Sequence, residues 1–137
     1  MFTKSLANMG YGRHIDNAYM SSGRADLSFT IFVSDKNQYD GGELLIENLS
    51  SESEFKLDRG EILIYPSTYL HSVKEILHGE RIVCVGWIES YVKSIEEREY
   101  LFDLDAAARS LLAKYGRSDE VDLIFKSYSN LLRRLSN

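Results

Sequence analysis

Up to Lys93 the apolar residues fall in short runs that alternate with polar ones at a period of about 2, and beyond it they recur at about 3.6. A chain of this pattern builds sheet first and helix second. The runs are Phe2 to Leu6, Tyr11 to Ile15, Ser28 to Val33, Glu43 to Glu47, Glu54 to Leu57, Ile62 to Tyr65, His71 to Lys74 and Arg81 to Ile88. They are rich in Val, Ile, Phe and Tyr and are separated by Gly, Asn, Asp and Ser, the pattern of a sandwich or barrel of many short strands. Asp40-Gly41-Gly42 and Asp58-Arg59-Gly60 read as hairpin connections, and Leu77-His78-Gly79-Glu80 as a polar turn with His78 in solvent. Pro66 follows a strand, where its missing N–H costs the ladder little.

The helical part opens at Ser94, with Glu97 three residues on as a capping-box partner, and carries the apolar stripe Leu101, Leu104, Ala108, Leu111 and Leu112 as far as Gly116. A second helix starts at Ser118 and buries Val121, Ile124, Phe125, Tyr128, Leu131, Leu132 and Leu135. The expectation is one domain: a β core over residues 1–93 and a helical pair over 94–137 packed on the outside of the sheet.

Composition narrows the function classes. With 137 residues the chain is long enough for a self-sufficient core, so neither disulfides nor metal clips are required for stability. The lone cysteine, Cys84, excludes an internal disulfide and points to a reducing, cytoplasmic setting. Sixteen basic against 21 acidic residues, spread rather than grouped, argue against a nucleic-acid partner. No apolar run is long enough to cross a membrane as a helix.

His14 and Asp16, one residue apart in an extended stretch, emerge on one face about 6.6 Å apart. Alone they read sooner as a surface histidine beside a turn aspartate than as ligands. His71, at the start of a late strand, supplies a third ligand: two imidazoles and a carboxylate on one side of a metal leave three positions open and suit Fe(II), whereas structural zinc needs a fourth protein ligand. Cys84 is a poor fourth, since it alternates out of phase with Arg81 and reads as core. Arg81, facing a barrel interior beside Val83 and Val85, is a costly buried charge unless an anion meets it; the alternative is an arginine reaching Glu80 or Asp58 at a strand end.

Met9-Gly10-Tyr11-Gly12-Arg13-His14-Ile15-Asp16-Asn17, Arg24-Ala25-Asp26-Leu27-Ser28-Phe29-Thr30, Tyr39-Asp40-Gly41-Gly42-Glu43-Leu44, Tyr65-Pro66-Ser67 through His71 to Arg81, Trp87-Ile88-Glu89-Ser90, Leu101-Phe102-Asp103-Leu104-Asp105 and Asn130-Leu131-Leu132-Arg133-Arg134 resemble, in order, the PKHD-type hydroxylases, bacterial relatives of prolyl and lysyl hydroxylases. The resemblance implies a double-stranded β-helix, a jelly-roll barrel, with His14, Asp16 and His71 as iron ligands and Arg81 holding the distal carboxylate of 2-oxoglutarate. It implies an Fe(II)- and 2-oxoglutarate-dependent dioxygenase that consumes dioxygen, uses ascorbate as reductant and hydroxylates a substrate such as a prolyl or lysyl side chain of a protein or peptide. Ser28 and Thr30 are candidate contacts to the cosubstrate, and Tyr11, Tyr65, Tyr69 and Trp87 candidate pocket walls. Relatives carry a substantial segment before the Gly-Tyr-Gly stretch, which here only Met1 to Met9 precede, so a chain lacking that segment is expected. A cupin-like metalloenzyme without 2-oxoglutarate, or a module that binds iron without turnover, are the other readings of the same ligands. Oligomeric state is not legible.

Overall fold

The computed structural model describes residues 1–48 and 50–136. Two compact units result, Met1–Glu89 and Ser90–Asn137. In the first, β1 (Phe2–Leu6), β11 (Ile76–Ile88), β5 (Leu27–Phe32) and β9 (Ile62–Pro66) form one antiparallel sheet in that order, with β6 (Tyr39–Gly41) pairing the start of β11. The second sheet runs β2 (Tyr11–His14), β10 (Leu70–Val73), β7 (Leu44–Glu47), β8 (Glu52–Phe55). A small hairpin, β3 (Tyr19–Met20) with β4 (Gly23–Arg24), and a 3₁₀ turn, Lys36–Gln38, complete the unit.

Period-2 patterning decides which face of each strand turns inward. Along β5, Ser28, Thr30 and Phe32 are buried while Leu27, Phe29 and Ile31 are only partly so. Phe32, Ile76 and Val83 are the largest fully buried side chains, each contributing about 1.5–3 kcal/mol by leaving water. Leu44, Ile46 and Tyr65 form a core cluster packed by Phe55, Leu63, Tyr69 and Val73, which joins the inner faces of the two sheets. The result is mainly β, a jelly-roll barrel, as the strand pattern predicts.

Three local expectations are corrected. Leu77-His78-Gly79-Glu80 lies inside β11: Gly79 takes φ +82°, and a Cβ there would strike Gln38 O and the Tyr39 backbone, so the glycine lets β6 pair closely instead of turning the chain. His78 is exposed as expected, but on a strand. Neither glycine-rich connection makes a hairpin: Asp40 and Gly41 belong to β6, and Asp58 to Gly60 carries the chain from β8 in one sheet to β9 in the other. Cys84 does point away from Arg81, but the face it occupies is the outer one, so it is half-buried rather than core.

The second unit holds α1 (Ile95–Tyr115) and α2 (Asp119–Leu135). Ser94 caps α1 by accepting from Glu97 N while its hydroxyl donates to Glu96, and Gly116 ends it at φ +79°. Ser118 caps α2 by accepting from Val121 N. Leu101, Ala108 and Val121 are buried, but Leu111, Leu112 and Leu131 are exposed, contrary to the stripe. Two helices share one seam, and a seam is narrower than the apolar faces that flank it. Val92, bridged to Ser136 and held by Arg98 through its carbonyl, closes the unit at the other end.

Candidate active site

His14 closes β2, and β2 pairs antiparallel with β10 so that His14 stands directly opposite His71. Their rings sit 4.2 Å apart by centroid. Asp16, two residues past His14, turns its Oδ1 toward both Nε2 atoms, at 3.9 Å from His14 and 3.8 Å from His71. These distances are too long for hydrogen bonds. Two bonds from a first-row divalent ion, about 2.1 Å each, reach at most about 4.2 Å, so one cation can be shared between them. One donor atom from each of the three residues lies within 4.8 Å of the others.

The histidines are prepared for a metal by their other nitrogens. Nδ1 of His14 lies 2.8 Å from Gly12 O and Nδ1 of His71 lies 3.0 Å from Tyr69 O. A carbonyl only accepts, so each Nδ1 carries a proton, which leaves each Nε2, facing Asp16, as the atom able to ligate a metal. Tyr11 packs edge-on against His14 and Tyr65 against His71, fixing the ring planes. This donor set, two neutral imidazoles and one carboxylate on one side, fits Fe(II).

Asp16 is itself held. Ser28 Oγ donates to its Oδ2 at 2.5 Å, and Ser67 Oγ lies 2.8 Å from Ser28 Oγ. Since the one Ser28 proton goes to the carboxylate, Ser67 is the donor of the second bond. Ser28, a candidate contact to the cosubstrate, lines a cavity and also serves Asp16. Ser67 has no sequence signal, being one serine after a proline.

Arg81 points inward from β11 and is 3% exposed. The strand-end alternative does not hold, because Glu80 pairs with Lys4 at 2.6 Å and Asp58 with Lys36 at 3.0 Å. Nε of Arg81 has no partner among the described residues, and burial depresses the guanidinium pKa, with Tyr39 and Tyr65 opposing the fall. Tyr39, missed in the sequence, is buried beside it with a hydroxyl also unpartnered among the described residues. Lys56 anchors Tyr39 from behind, donating to its carbonyl at 2.7 Å with Nζ 4.3 Å above the ring.

His14, Asp16, His71, Ser28, Thr30, Tyr65 and Arg81 line one cavity of about 650 Å³. Tyr11 and Trp87 line it as expected; Tyr69 does not, and packs into the core cluster instead. Burial and the nearby Asp16 charge push the Tyr65 pKa up to about 12, so its hydroxyl is a proton-bearing donor.

A model of the 2OG-Fe(II) oxygenase superfamily matches residues 1–89, and one of the PKHD-type hydroxylase C-terminal domain matches residues 96–137. A PKHD-type hydroxylase of Prochlorococcus marinus strain MIT 9312 is 80% identical over the whole chain, and one from strain NATL1A is 61% identical over the same length. The chain spans 62% of the length of each of these relatives. Among solved structures, a prolyl-4-hydroxylase from Pseudomonas putida aligns with a TM-score of 0.56 at 23% identity, covering 65% of this chain and 50% of that one. A 2OG-Fe(II) oxygenase family oxidoreductase from Burkholderia pseudomallei aligns with a TM-score of 0.54 at 21% identity, covering 61% and 39%. At those identities the two structures speak for the fold, and the family models for descent. With the model matched over its barrel, the chain belongs to the 2OG-Fe(II) oxygenase superfamily, and its C-terminal segment is similar to that of PKHD-type hydroxylases.

Proposed function

We propose that this chain is an Fe(II)- and 2-oxoglutarate-dependent dioxygenase, converting 2-oxoglutarate, dioxygen and a C–H bond into succinate, carbon dioxide and a hydroxylated product. The observation that carries the reading is Arg81: a buried guanidinium with no carboxylate against it among the described residues, on the wall of the cavity that holds three metal-ligating side chains. A buried unpaired charge is costly. A dicarboxylate that meets Arg81 at one end and the metal at the other removes that cost.

When bound, iron supplies the activation of dioxygen and the oxidising power of the reaction. His14, Asp16 and His71 hold it from one side. Arg81 fixes the far carboxylate by two parallel hydrogen bonds, and the Tyr39 hydroxyl lies beside it. Tyr65, protonated at every physiological pH, donates into the cavity without adding charge. Tyr65 and Trp87 exclude water around the reacting bond.

For the substrate we favour a prolyl or lysyl side chain on a polypeptide. Met9, Tyr11 and Ile15 line the cavity yet stay about half exposed or more, so the cavity opens on an apolar edge suited to an extended chain. The Pseudomonas putida neighbour is a prolyl-4-hydroxylase by name. Ascorbate as reductant and a cytoplasmic setting complete the reading, the second supported by the absence of any possible internal disulfide. A mass gain of one oxygen atom on proline- or lysine-containing peptides is the assay for the substrate.

The test of the whole is Arg81→Ala. Loss of two charge-assisted hydrogen bonds lowers 2-oxoglutarate affinity by about a hundredfold or more and stops iron-dependent succinate release. Unchanged affinity and turnover would overturn the cosubstrate assignment.

A further inference from the structure

Asp16 has two oxygens with two different neighbours. Oδ1 faces both histidine Nε2 atoms, and Oδ2 is taken by the Ser28 hydroxyl. Ser28 and Ser67 are both buried, at 2% and 3% exposure, so the hydroxyls that meet that oxygen are themselves shielded from bulk water. Their backbones are themselves fixed. Ser28 sits within β5, paired to Tyr65, and Ser67 N donates to Asp26 O at 3.1 Å. The direction of the proton chain follows from the carboxylate at its end: Ser67 donates to Ser28, and Ser28 donates to Asp16.

We propose that the Ser67–Ser28 hydroxyl pair makes Asp16 a one-oxygen ligand, and so keeps a third coordination position free at the metal. A carboxylate with both oxygens open can bind a cation through either or both. With both, two histidines and Asp16 fill four of about six positions, and a chelating cosubstrate takes the last two, leaving none for dioxygen. With Oδ2 occupied by Ser28, Asp16 offers Oδ1 alone and three positions remain. The two serines are positioning residues: they touch Asp16 and each other, not the reacting atoms. This inference rests on His14, Asp16 and His71 being the metal ligands.

Mn(II) is the probe, because the water-proton relaxation it causes reports how many exchangeable waters it carries, with no turnover required. The wild-type chain, loaded with Mn(II) alone, is expected to hold about three such waters. Ser28→Ala is expected to lower that number to about two and to change Mn(II) affinity by about tenfold, as loss of a group that orients a ligand does. Ser28→Thr, which restores the hydroxyl, brings the water number back. Ser67→Ala changes affinity in the same direction by a smaller factor, and it decides the question where Ser28→Ala does not fold. A water number and affinity equal to wild type in the folded serine variants would overturn the proposal. Absence of stoichiometric Mn(II) binding in the wild type would instead overturn the ligand assignment beneath it.

Discussion

The two units bury different things. Every buried polar or charged residue among those described, from Asp26 and Ser28 to His71 and Arg81, lies in residues 1–89, whereas the buried residues of the helical unit are Val92, Leu101, Ala108 and Val121. In the helices burial is mainly apolar, although Asp105 Oδ1 is also buried with no partner among the described residues, its other oxygen accepting from Arg109 at 2.7 Å. In the barrel part of the burial is spent on groups that solvate poorly there, and each such group costs free energy unless something answers it. His71 is answered by a carbonyl, Ser28 and Ser67 by one another and Asp16, Lys56 by Tyr39. Arg81 Nε and the Tyr39 hydroxyl have no partner among the described residues. The contrast teaches where a ligand is called for: in the unit where a buried guanidinium with an unpartnered Nε lines a cavity beside His14, Asp16 and His71.

Breaking the barrel side of this contrast has the largest expected effect. His14→Ala and Asp16→Ala abolish stoichiometric Fe(II) binding, read by titration under anaerobic conditions, while the thermal transition of the metal-free protein moves little, since both residues are only partly buried. Retained iron in both variants would break the contrast.

The helical side should respond in the opposite sense. Leu101→Ala leaves a cavity in a seam that has few other buried residues and costs about 2–4 kcal/mol in denaturant unfolding, with iron stoichiometry intact. Arg81→Met tests the claim that the barrel gives up stability: replacing an unanswered buried charge with an apolar chain of similar length raises the stability of the ligand-free protein by about 1 kcal/mol or more, and removes 2-oxoglutarate binding. Gly116→Ala costs about 1 kcal/mol, because the residue that ends α1 sits at φ +79°.

The smallest effect is electrostatic. Glu47, on the outer surface, is held below its usual pKa by the Arg13 hydrogen bonds and charge. Its folded pKa lies below the unfolded one, so the pair contributes stability above the unfolded value and loses it as pH falls through the folded value. Arg13→Ala flattens that part of the acid unfolding curve by a small amount, as an exposed pair should.

How much of this was legible in sequence depended on whether the signal was local. β1 is read at its observed bounds, Phe2–Leu6, and both helix caps, Ser94 and Ser118, are found, because alternation and capping chemistry lie within a few residues. The cluster of His14, Asp16 and His71 was legible through the His-x-Asp spacing and a late histidine. The early part of β11 was not: Gly79 has the composition of a turn, and only pairing with Tyr39, far away in sequence, makes it a strand. Ser67 and Tyr39 escaped for the same reason. A serine after proline and one tyrosine among nine acquire their roles only when folding brings Ser28 and Arg81 to them.

The division of the site between sheets has a consequence for safety. His14 and His71 belong to the sheet of β2 and β10, while Arg81 and Ser28 come from the sheet of β11 and β5. On the proposed reading, a barrel whose sheets have parted still holds the histidines in register but grips no dicarboxylate. Oxidant is then generated only in a closed barrel, and the fold works as an interlock: a damaged or half-open molecule fails silent instead of oxidising itself.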